Sequence, residues 1–153
     1  MPTVLKTFEL IGMATVSTSA HEAKKIGYLK YSDGITMNRN RLLFDAKIKA
    51  LDLSKKYIIP EKTIYRLPGK TAVAAIKLTM ENMQSRGEIS QYDKFIGEII
   101  AYVLSGGDTD ITKDVSEENI LKLEKDAIYK LMKENLTIER LEYILETGKY
   151  LRN

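Results

Sequence analysis

The feature that most constrains this chain is the helical spacing of its apolar residues, which recurs along the sequence with only short interruptions. Apolar residues at intervals of three and four positions predict amphipathic α-helices, whereas alternation at every second position predicts strands. Ser or Thr precedes several of these stretches and Gly follows several of them, as expected for helix caps and stops. No alternation of strand and helix patterns is present. The sequence therefore predicts a mainly α protein.

About seven helices are expected, and capping residues define several of their starts. Ser19 with Glu22 three residues later forms a capping box, and Ser90 with Asp93 has the same spacing. Ser116 and Thr137 are the expected caps of the last two helices. The predicted helices lie at 4–14, just after Ser19, at 40–56, 70–86, 91–105 and 117–134, and after Thr137.

The apolar positions indicate which side of each helix faces inward. In the first helix the stripe is Val4, Leu5, Phe8 and Ile11, and in the helix over 70–86 it is Val73, Ile76, Met80 and Met83. For the helix over 40–56 the predicted inward positions are Leu43, Ala46, Ala50 and Leu53.

Little of the chain is left for other structure. Residues 57–68 form the longest link without a helical pattern, and at most one short strand is expected, near 35–37. We therefore treat residues 1–153 as a single helical module with an internal link at 57–68.

The residue types present exclude several kinds of chemistry. Cys is absent, which excludes disulfides, thiolate metal sites and a cysteine nucleophile. The single His, His21, excludes a multi-histidine metal site. Because His21 lies beside Glu22 in the first turn of a helix, we interpret it as a surface residue rather than a catalyst. No metal site and no catalytic residue is predicted.

Charge and hydropathy bear on the possible partners and location. Residues 1–75 carry a net charge of +7 and residues 76–153 a net charge of −4. A basic half can attract an anionic partner, but a solvated bipolar surface is the simpler interpretation, and no nucleic-acid motif is present. No apolar run approaches the roughly 20 residues that span a bilayer, and no signal peptide pattern occurs. We expect a cytoplasmic protein without nucleic-acid or membrane partners.

One short run has a possible link to phosphate binding. Residues 67–71, Leu-Pro-Gly-Lys-Thr, resemble the end of a phosphate-binding loop that opens a helix. The full motif requires Gly where this chain has Ile64, and no long hydrophobic strand precedes it. We interpret Pro68 and Gly69 as a helix start instead.

Residues 8–29, FELIGMATVSTSAHEAKKIGYL, resemble a segment of the crotonase, or enoyl-CoA hydratase, family. In that family a helix ending at a Gly is followed by a short helix with the pattern Ser-Ala-x-Glu-Ala and then Leu-Gly-Leu. Gly12 fills the first element, and Ser19–Ala23 with Ile26–Leu29 fills the second. Tyr28 replaces the usual Leu.

The rest of the chain is similar to the C-terminal end of long bacterial fatty-acid oxidation proteins. Those proteins carry an NAD-dependent 3-hydroxyacyl-CoA dehydrogenase first and a hydratase-like domain last. The runs that carry this resemblance are Asn38–Arg41, Leu67–Gly69, Ile89–Lys94, Ala101–Asp108, Val115–Glu117 and Gly148–Asn153.

The resemblance implies a helical C-terminal segment of a crotonase-like domain, which in this family packs over the acyl-CoA site and builds the oligomer interface. It implies no catalytic residue here, because the oxyanion loops and the dinucleotide fingerprint precede such a segment. No cofactor is expected in this chain, while NAD and acyl-CoA are implied for the full-length protein. The implied partners are the upstream crotonase and dehydrogenase part and further copies of the chain in a homo-oligomer.

The resemblance also suggests contacts to CoA near the end of the chain. Family members often end in a pattern whose Lys reaches a CoA phosphate, but here Thr147 stands at that position. Lys149 and Arg152 are the candidate CoA contacts in its place. The alternative function is a non-catalytic helical interaction module or a remnant gene product.

Overall fold

A computed structural model describes residues 2–153 and confirms the prediction of a mainly helical protein. The described residues contain seven α-helices, a 3₁₀ turn at Arg39–Arg41 and two strands of two residues each. The helices are α1 (Pro2–Gly12), α2 (Ala20–Ile26), α3 (Leu42–Ser54), α4 (Lys70–Ser85), α5 (Gln91–Leu104), α6 (Glu117–Leu131) and α7 (Asn135–Thr147). Each of the four long predicted helices is observed, with ends within a few residues of the prediction. None of the helices over residues 2–153 combines the length and apolar character needed to cross a bilayer.

The described residues form two compact units. The larger comprises the residues up to Ala14 together with Lys62–Asn153, and the smaller comprises Thr15–Glu61. The larger unit contains α1 and α4 to α7, whereas the smaller unit contains α2, the 3₁₀ turn and α3.

The core of the larger unit lies where α4 and α5 pack together. Ile76, Met80 and Ala101 are almost fully buried there, and Phe8 of α1 packs against them. The predicted stripes of α1 and α4 therefore face this core. Gly97 of α5 permits the close packing, since a Cβ atom at this position would lie 2.5 Å from the Met80 Sδ atom.

The strands lie away from the predicted position. β1 (Ile64–Tyr65) pairs antiparallel with β2 (Val115–Ser116), with Ile64 opposite Ser116 and Tyr65 opposite Val115. The prediction of a strand near 35–37 is wrong, because that stretch has no strand partner within residues 2–153. β1 lies instead inside the predicted link at 57–68, and Val115 of its partner strand is buried.

Three of the four predicted caps are observed. The hydroxyls of Ser19, Ser90 and Ser116 each accept a hydrogen bond from the backbone N–H three residues later. Thr137 is not a cap, because α7 begins two residues earlier, after Glu134. The Thr137 hydroxyl instead lies 2.6 Å from the hydroxyl of Tyr92, where it joins α7 to α5.

The smaller unit leaves α3 largely uncovered. None of the α3 residues is buried, and Leu43 is 82% exposed. The prediction that Leu43, Ala46, Ala50 and Leu53 face inward is therefore wrong for the described residues. Their spacing does follow one face of a helix, but nothing within the smaller unit covers that face.

Candidate functional site

A groove of about 760 Å³ runs through the larger unit. Its walls come from α1, α4, α5 and α7 and from the residues that follow α7. Most of the lining is apolar and includes Phe8, Met83, Ile96 and Ile100. This size and lining are typical of pockets that bind small organic ligands.

The helical spacing of the sequence builds the groove. Four residues of α5 line the groove: Asp93, Ile96, Gly97 and Ile100. They follow the i, i+3, i+4, i+7 pattern and therefore lie on one face of the helix. The stripes on α1 and α4 contribute in the same way. The residues that form the core thus continue into the wall of the groove.

A charged cluster stands at one side of the groove. Arg140 of α7 places its Nη1 atom 2.8 Å from the Oδ1 atom of Asp93, and both side chains are about four-fifths buried. The Arg140 guanidinium also lies 5.0 Å from the centre of the Tyr92 ring. Its Nε atom donates to the Asn153 side-chain oxygen at 2.7 Å and its Nη2 atom to the Asn153 backbone oxygen at 3.2 Å. Arg140 therefore connects α5, α7 and the residues after α7.

Asp93 keeps its negative charge in this cluster. Partial burial raises its pKa, but hydrogen bonds from the Ser90 backbone N–H and from Arg140, together with the Arg140 charge, outweigh that effect. The pKa of Asp93 is therefore below its ordinary value. The two opposite charges neutralise each other, and the ion pair joins α5 to α7.

The two predicted CoA contacts occupy different places. Arg152 lines the groove, and among residues 2–153 no carboxylate lies within ion-pair distance of its guanidinium. Lys149 does not line the groove, and its backbone N–H donates to the Thr147 hydroxyl. CoA contact by either residue stays a prediction, but only Arg152 is placed against a cavity.

The run Leu67–Thr71 is the start of α4, as interpreted from the sequence. The Gly69 N–H donates to the Ser105 carbonyl oxygen at 2.9 Å, so this amide is already used within the protein. A Cβ atom at Gly69 would lie 1.7 Å from the Thr109 carbonyl oxygen, which explains the glycine. The Lys70 Nζ atom lies 3.3 Å from the Asp108 Oδ1 atom. A phosphate bound by Lys70 would have to displace this carboxylate.

Asp108 also accepts a hydrogen bond from the Tyr102 hydroxyl at 3.2 Å. Burial and the neighbouring carboxylate raise the pKa of Tyr102 above its ordinary value. Neither Tyr102 nor Asp108 lines the groove. We interpret this cluster as part of the packing between the start of α4 and the end of α5.

Sequence reasoning missed Arg140 and Asn153 as members of the site. In the sequence Arg140 resembles the other charged residues expected on the solvent side of an amphipathic helix. Its partner Asp93 is 47 positions away, so no local pattern connects the two. His21, in contrast, is exposed in the smaller unit, as interpreted from the sequence. Over residues 2–153 no group of three or more His, Cys, Asp or Glu side chains is arranged to hold a metal ion.

The chain was compared with curated proteins, with protein-family models and with solved structures. The chain is 40% identical, over 154 aligned positions, to a probable 3-hydroxyacyl-CoA dehydrogenase of Bacillus subtilis (strain 168). The alignment covers 100% of this chain but 20% of the relative, so the chain spans about a fifth of that protein's length. The chain is similar to one segment of a dehydrogenase-related protein. No protein-family model matches the chain, and no solved structure matches it significantly.

Proposed function

We propose that this chain acts as the C-terminal segment of a fatty-acid β-oxidation protein of the combined 3-hydroxyacyl-CoA dehydrogenase and enoyl-CoA hydratase type. The single observation that carries the proposal is the 40% identity to the B. subtilis relative along the entire chain. The finer assignment, to a crotonase-like domain, is supported by the resemblance of residues 8–29 to that family.

In this proposal the segment contributes shape rather than chemistry. The sequence has no G-x-G-x-x-G run and no oxyanion loop of the crotonase type. Hydration of a trans-2-enoyl-CoA and oxidation of the 3-hydroxyacyl product by NAD therefore depend on the remainder of the longer protein. The segment helps to form the acyl-CoA pocket and the contact between copies of a cytoplasmic enzyme.

The groove supports a role next to an acyl-CoA pocket. Its apolar wall and its position beside the basic Arg152 suit a ligand with an acyl chain and an anionic group. Lys149, which lies outside the groove, is the second candidate for contact with CoA phosphates.

A segment exchange tests the proposal. The matching fifth of the B. subtilis relative is replaced by this chain, and NADH formation from a 3-hydroxyacyl-CoA is compared with that of the parent protein. We expect the exchanged protein to retain turnover and a version lacking the segment to lose it. An exchanged protein that folds but is as inactive as the truncated version would contradict the proposal.

The isolated chain provides the first testable prediction. We expect neither crotonyl-CoA hydration nor NAD-dependent oxidation above the rate in buffer, because the catalytic elements are absent from its sequence. The measurements are the loss of enoyl absorbance and the appearance of NADH absorbance at micromolar protein. Reproducible turnover that copurifies with the chain through several columns would refute this prediction.

A second candidate function is a non-catalytic interaction module. The observation that favours it is the uncovered apolar face of α3, on which Leu43 is 82% exposed. In the segment exchange this function predicts that folding and partner binding, rather than turnover, depend on the segment.

A further inference from the structure

We propose that residues 149–153, which we call the strap, close the groove of the larger unit along one side and control access to it. The strap is held at its far end by Asn153, and it opens when that anchor is released. The inference concerns entry to the groove and not the ligand inside it, so it goes beyond the proposed function.

The strap lies against the groove for most of its length. Helix α7 ends at Gly148, whose left-handed backbone (φ 68°) turns the chain away from the helix axis. The residues that follow are neither helix nor strand, and Tyr150, Leu151 and Arg152 all line the groove. The strap therefore forms part of the groove wall without belonging to a regular element.

Asn153 anchors the end of the strap. Its side-chain oxygen accepts a hydrogen bond from the Arg140 Nε atom at 2.7 Å, and its backbone oxygen accepts one from the Arg140 Nη2 atom at 3.2 Å. Its Nδ2 atom donates to the Leu136 carbonyl oxygen at 3.3 Å and to the Glu139 Oε2 atom at 2.9 Å. All three partners belong to α7, and Asp93 fixes Arg140 against α5. The strap thus folds back onto the helix that it follows.

The middle of the strap is held only weakly. Tyr150 is 81% exposed, Arg152 is exposed and Leu151 is partly buried. Because hydrophobic stabilisation scales with the apolar area removed from water, these residues contribute little to keeping the strap in place. Hydrogen bonds to a charged group such as Arg140 contribute more. The anchor at Asn153 therefore sets how often the strap opens.

The charges of the groove match those of the strap. Apart from the strap, the charged residues of the lining are three carboxylates and one guanidinium: Glu9, Glu88, Asp93 and Arg140. They sum to −2, and the wall stays net negative even with Arg86 paired to Glu88. The strap side chains Lys149 and Arg152 carry +2, so that the acidic wall attracts the strap. A ligand that enters the groove must displace the strap, which lowers its apparent affinity in proportion to the open fraction.

Thiol labelling tests the strap, because the sequence contains no Cys and an introduced Cys is the single reactive thiol. Ile96→Cys places a thiol on the groove face of α5, one turn after Asp93, and its rate of reaction with a maleimide measures how often the groove opens. Ser105→Cys is the reporter for the core. Ser105 is fully buried, and its hydroxyl has no hydrogen-bond partner among the described residues, so a thiol there reacts when the larger unit unfolds.

Variants of the strap are then combined with both reporters. Asn153→Ala is expected to raise the labelling rate of Ile96→Cys about tenfold, because it removes a hydrogen bond to a charged group, and to leave that of Ser105→Cys unchanged. Asn119→Ala, which removes the same amide from an exposed position of α6, is the matched control and should change neither rate. Arg152→Gln is expected to raise the rate at Ile96→Cys about threefold and to reduce its increase with salt, since salt screens the attraction between strap and wall.

Three results overturn the inference. Equal labelling of Ile96→Cys with Asn153→Ala and with Asn119→Ala would show that Asn153 does not hold the groove closed. A parallel rise at Ser105→Cys would show that Asn153 stabilises the whole unit rather than the strap. Reaction of Ile96→Cys as fast as that of free cysteine, with the strap unchanged, would show that the groove is open throughout.

Two features of the design keep the test decisive. Met83→Cys, at a lining position of α4, repeats the measurement should Ile96→Cys fail to fold. Labelling is measured on the 153-residue chain without a ligand, whereas the proposed function is tested by segment exchange, so that the failure of one is distinguishable from the failure of the other.

Discussion

Asp93 makes one interaction within its own helical turn and another with a residue far away in the sequence. Its carboxylate accepts the Ser90 backbone N–H at 3.0 Å while the Ser90 hydroxyl accepts the Asp93 N–H, which completes the capping box of α5. The other oxygen of the same carboxylate pairs with Arg140 of α7. One residue thus fixes the start of a helix and its contact with another helix.

The pH dependence of stability tests this double role. Because the pKa of Asp93 is lowered in the folded protein, the unfolded chain binds the proton more tightly. The stabilisation is therefore fully present above the unfolded pKa, near 3.8, and is lost as the pH falls through the lower folded pKa. Asp93→Asn keeps a hydrogen-bond acceptor but removes the charge, and we expect it to lower the free energy of unfolding by about 1 kcal/mol at pH 7.

The measurement is urea unfolding of both proteins from pH 7 to pH 2.5. The difference between the wild type and Asp93→Asn should be constant down to about pH 5 and then shrink toward zero. Asp126→Asn, which removes an exposed carboxylate of α6, serves as the control and should show no such change. A difference that is the same at every pH would mean that the charge of Asp93 does not stabilise the fold.

Residue-level predictions from the sequence succeed where the partners are close in the chain. The spacing of Ser90 and Asp93 predicts the start of α5 because both hydrogen bonds form within a single turn. The pairing with Arg140 depends on how α5 and α7 meet, and no local pattern contains that information. Arg152 was named as a candidate from resemblance, whereas its place beside the groove comes from the structure.

The crossing of α4 and α5 depends on one small residue. Gly97 lets the Met80 side chain, which is 3% exposed, lie against the backbone of α5. A helix interior favours Ala over Gly by about 1 kcal/mol, so that packing, not helix propensity, explains this residue.

A double-mutant cycle separates these two effects. Gly97→Ala is expected to lower the free energy of unfolding by about 1 kcal/mol, because displacement of the buried Met80 side chain exceeds the gain in helix propensity. In a Met80→Ala background the same change should raise the free energy of unfolding by up to about 1 kcal/mol, since the clash is gone. Chemical unfolding of the four proteins gives both values, and an effect of the same sign in both backgrounds contradicts this account.

Helices were predictable from the sequence and strands were not. Periodicity and caps are local properties, and they place α4, α5 and α6 within a few residues of their observed ends. β1 and β2 are two residues long and lie about 50 positions apart, so that their pairing depends on the packing of the intervening helices. Thr is a residue type that often caps helices, but the Thr137 hydroxyl forms a hydrogen bond with the Tyr92 hydroxyl instead.

At the scale of the whole molecule, the apolar surface is distributed unevenly. On the first helix Val4 is buried and Phe8 packs on the core of the larger unit, in line with the inward stripe predicted there. Large exposed apolar residues instead concentrate in the smaller unit, on α3 and in the residues that follow it. Leu43 on α3 and Ile58 and Ile59 after it are each more than four-fifths exposed. Helical spacing predicts that such a face exists, but it does not specify what covers it.

This distribution makes α3 the expected contact when the chain associates with itself. A contiguous apolar surface beyond a few hundred Å² usually binds a partner, and in the isolated chain the available partner is a second copy. We expect light scattering to give a mass above that of a monomer, with the fraction of oligomer rising with concentration. Leu43→Glu should shift the protein toward the monomer while its stability changes by no more than about 0.5 kcal/mol, as is usual for exposed positions.

Phe8→Asp provides the matched contrast, because it introduces a charge at a residue packed against the core rather than at an uncovered one. It should lower the thermal midpoint strongly without a specific effect on the association of the folded protein. Were Phe8→Asp to yield a stable monomer and Leu43→Glu to leave the oligomer intact, α1 would form the contact and the packing of its stripe on α4 and α5 would need revision. A strict monomer at high concentration would show that the exposed face of α3 does not by itself drive association.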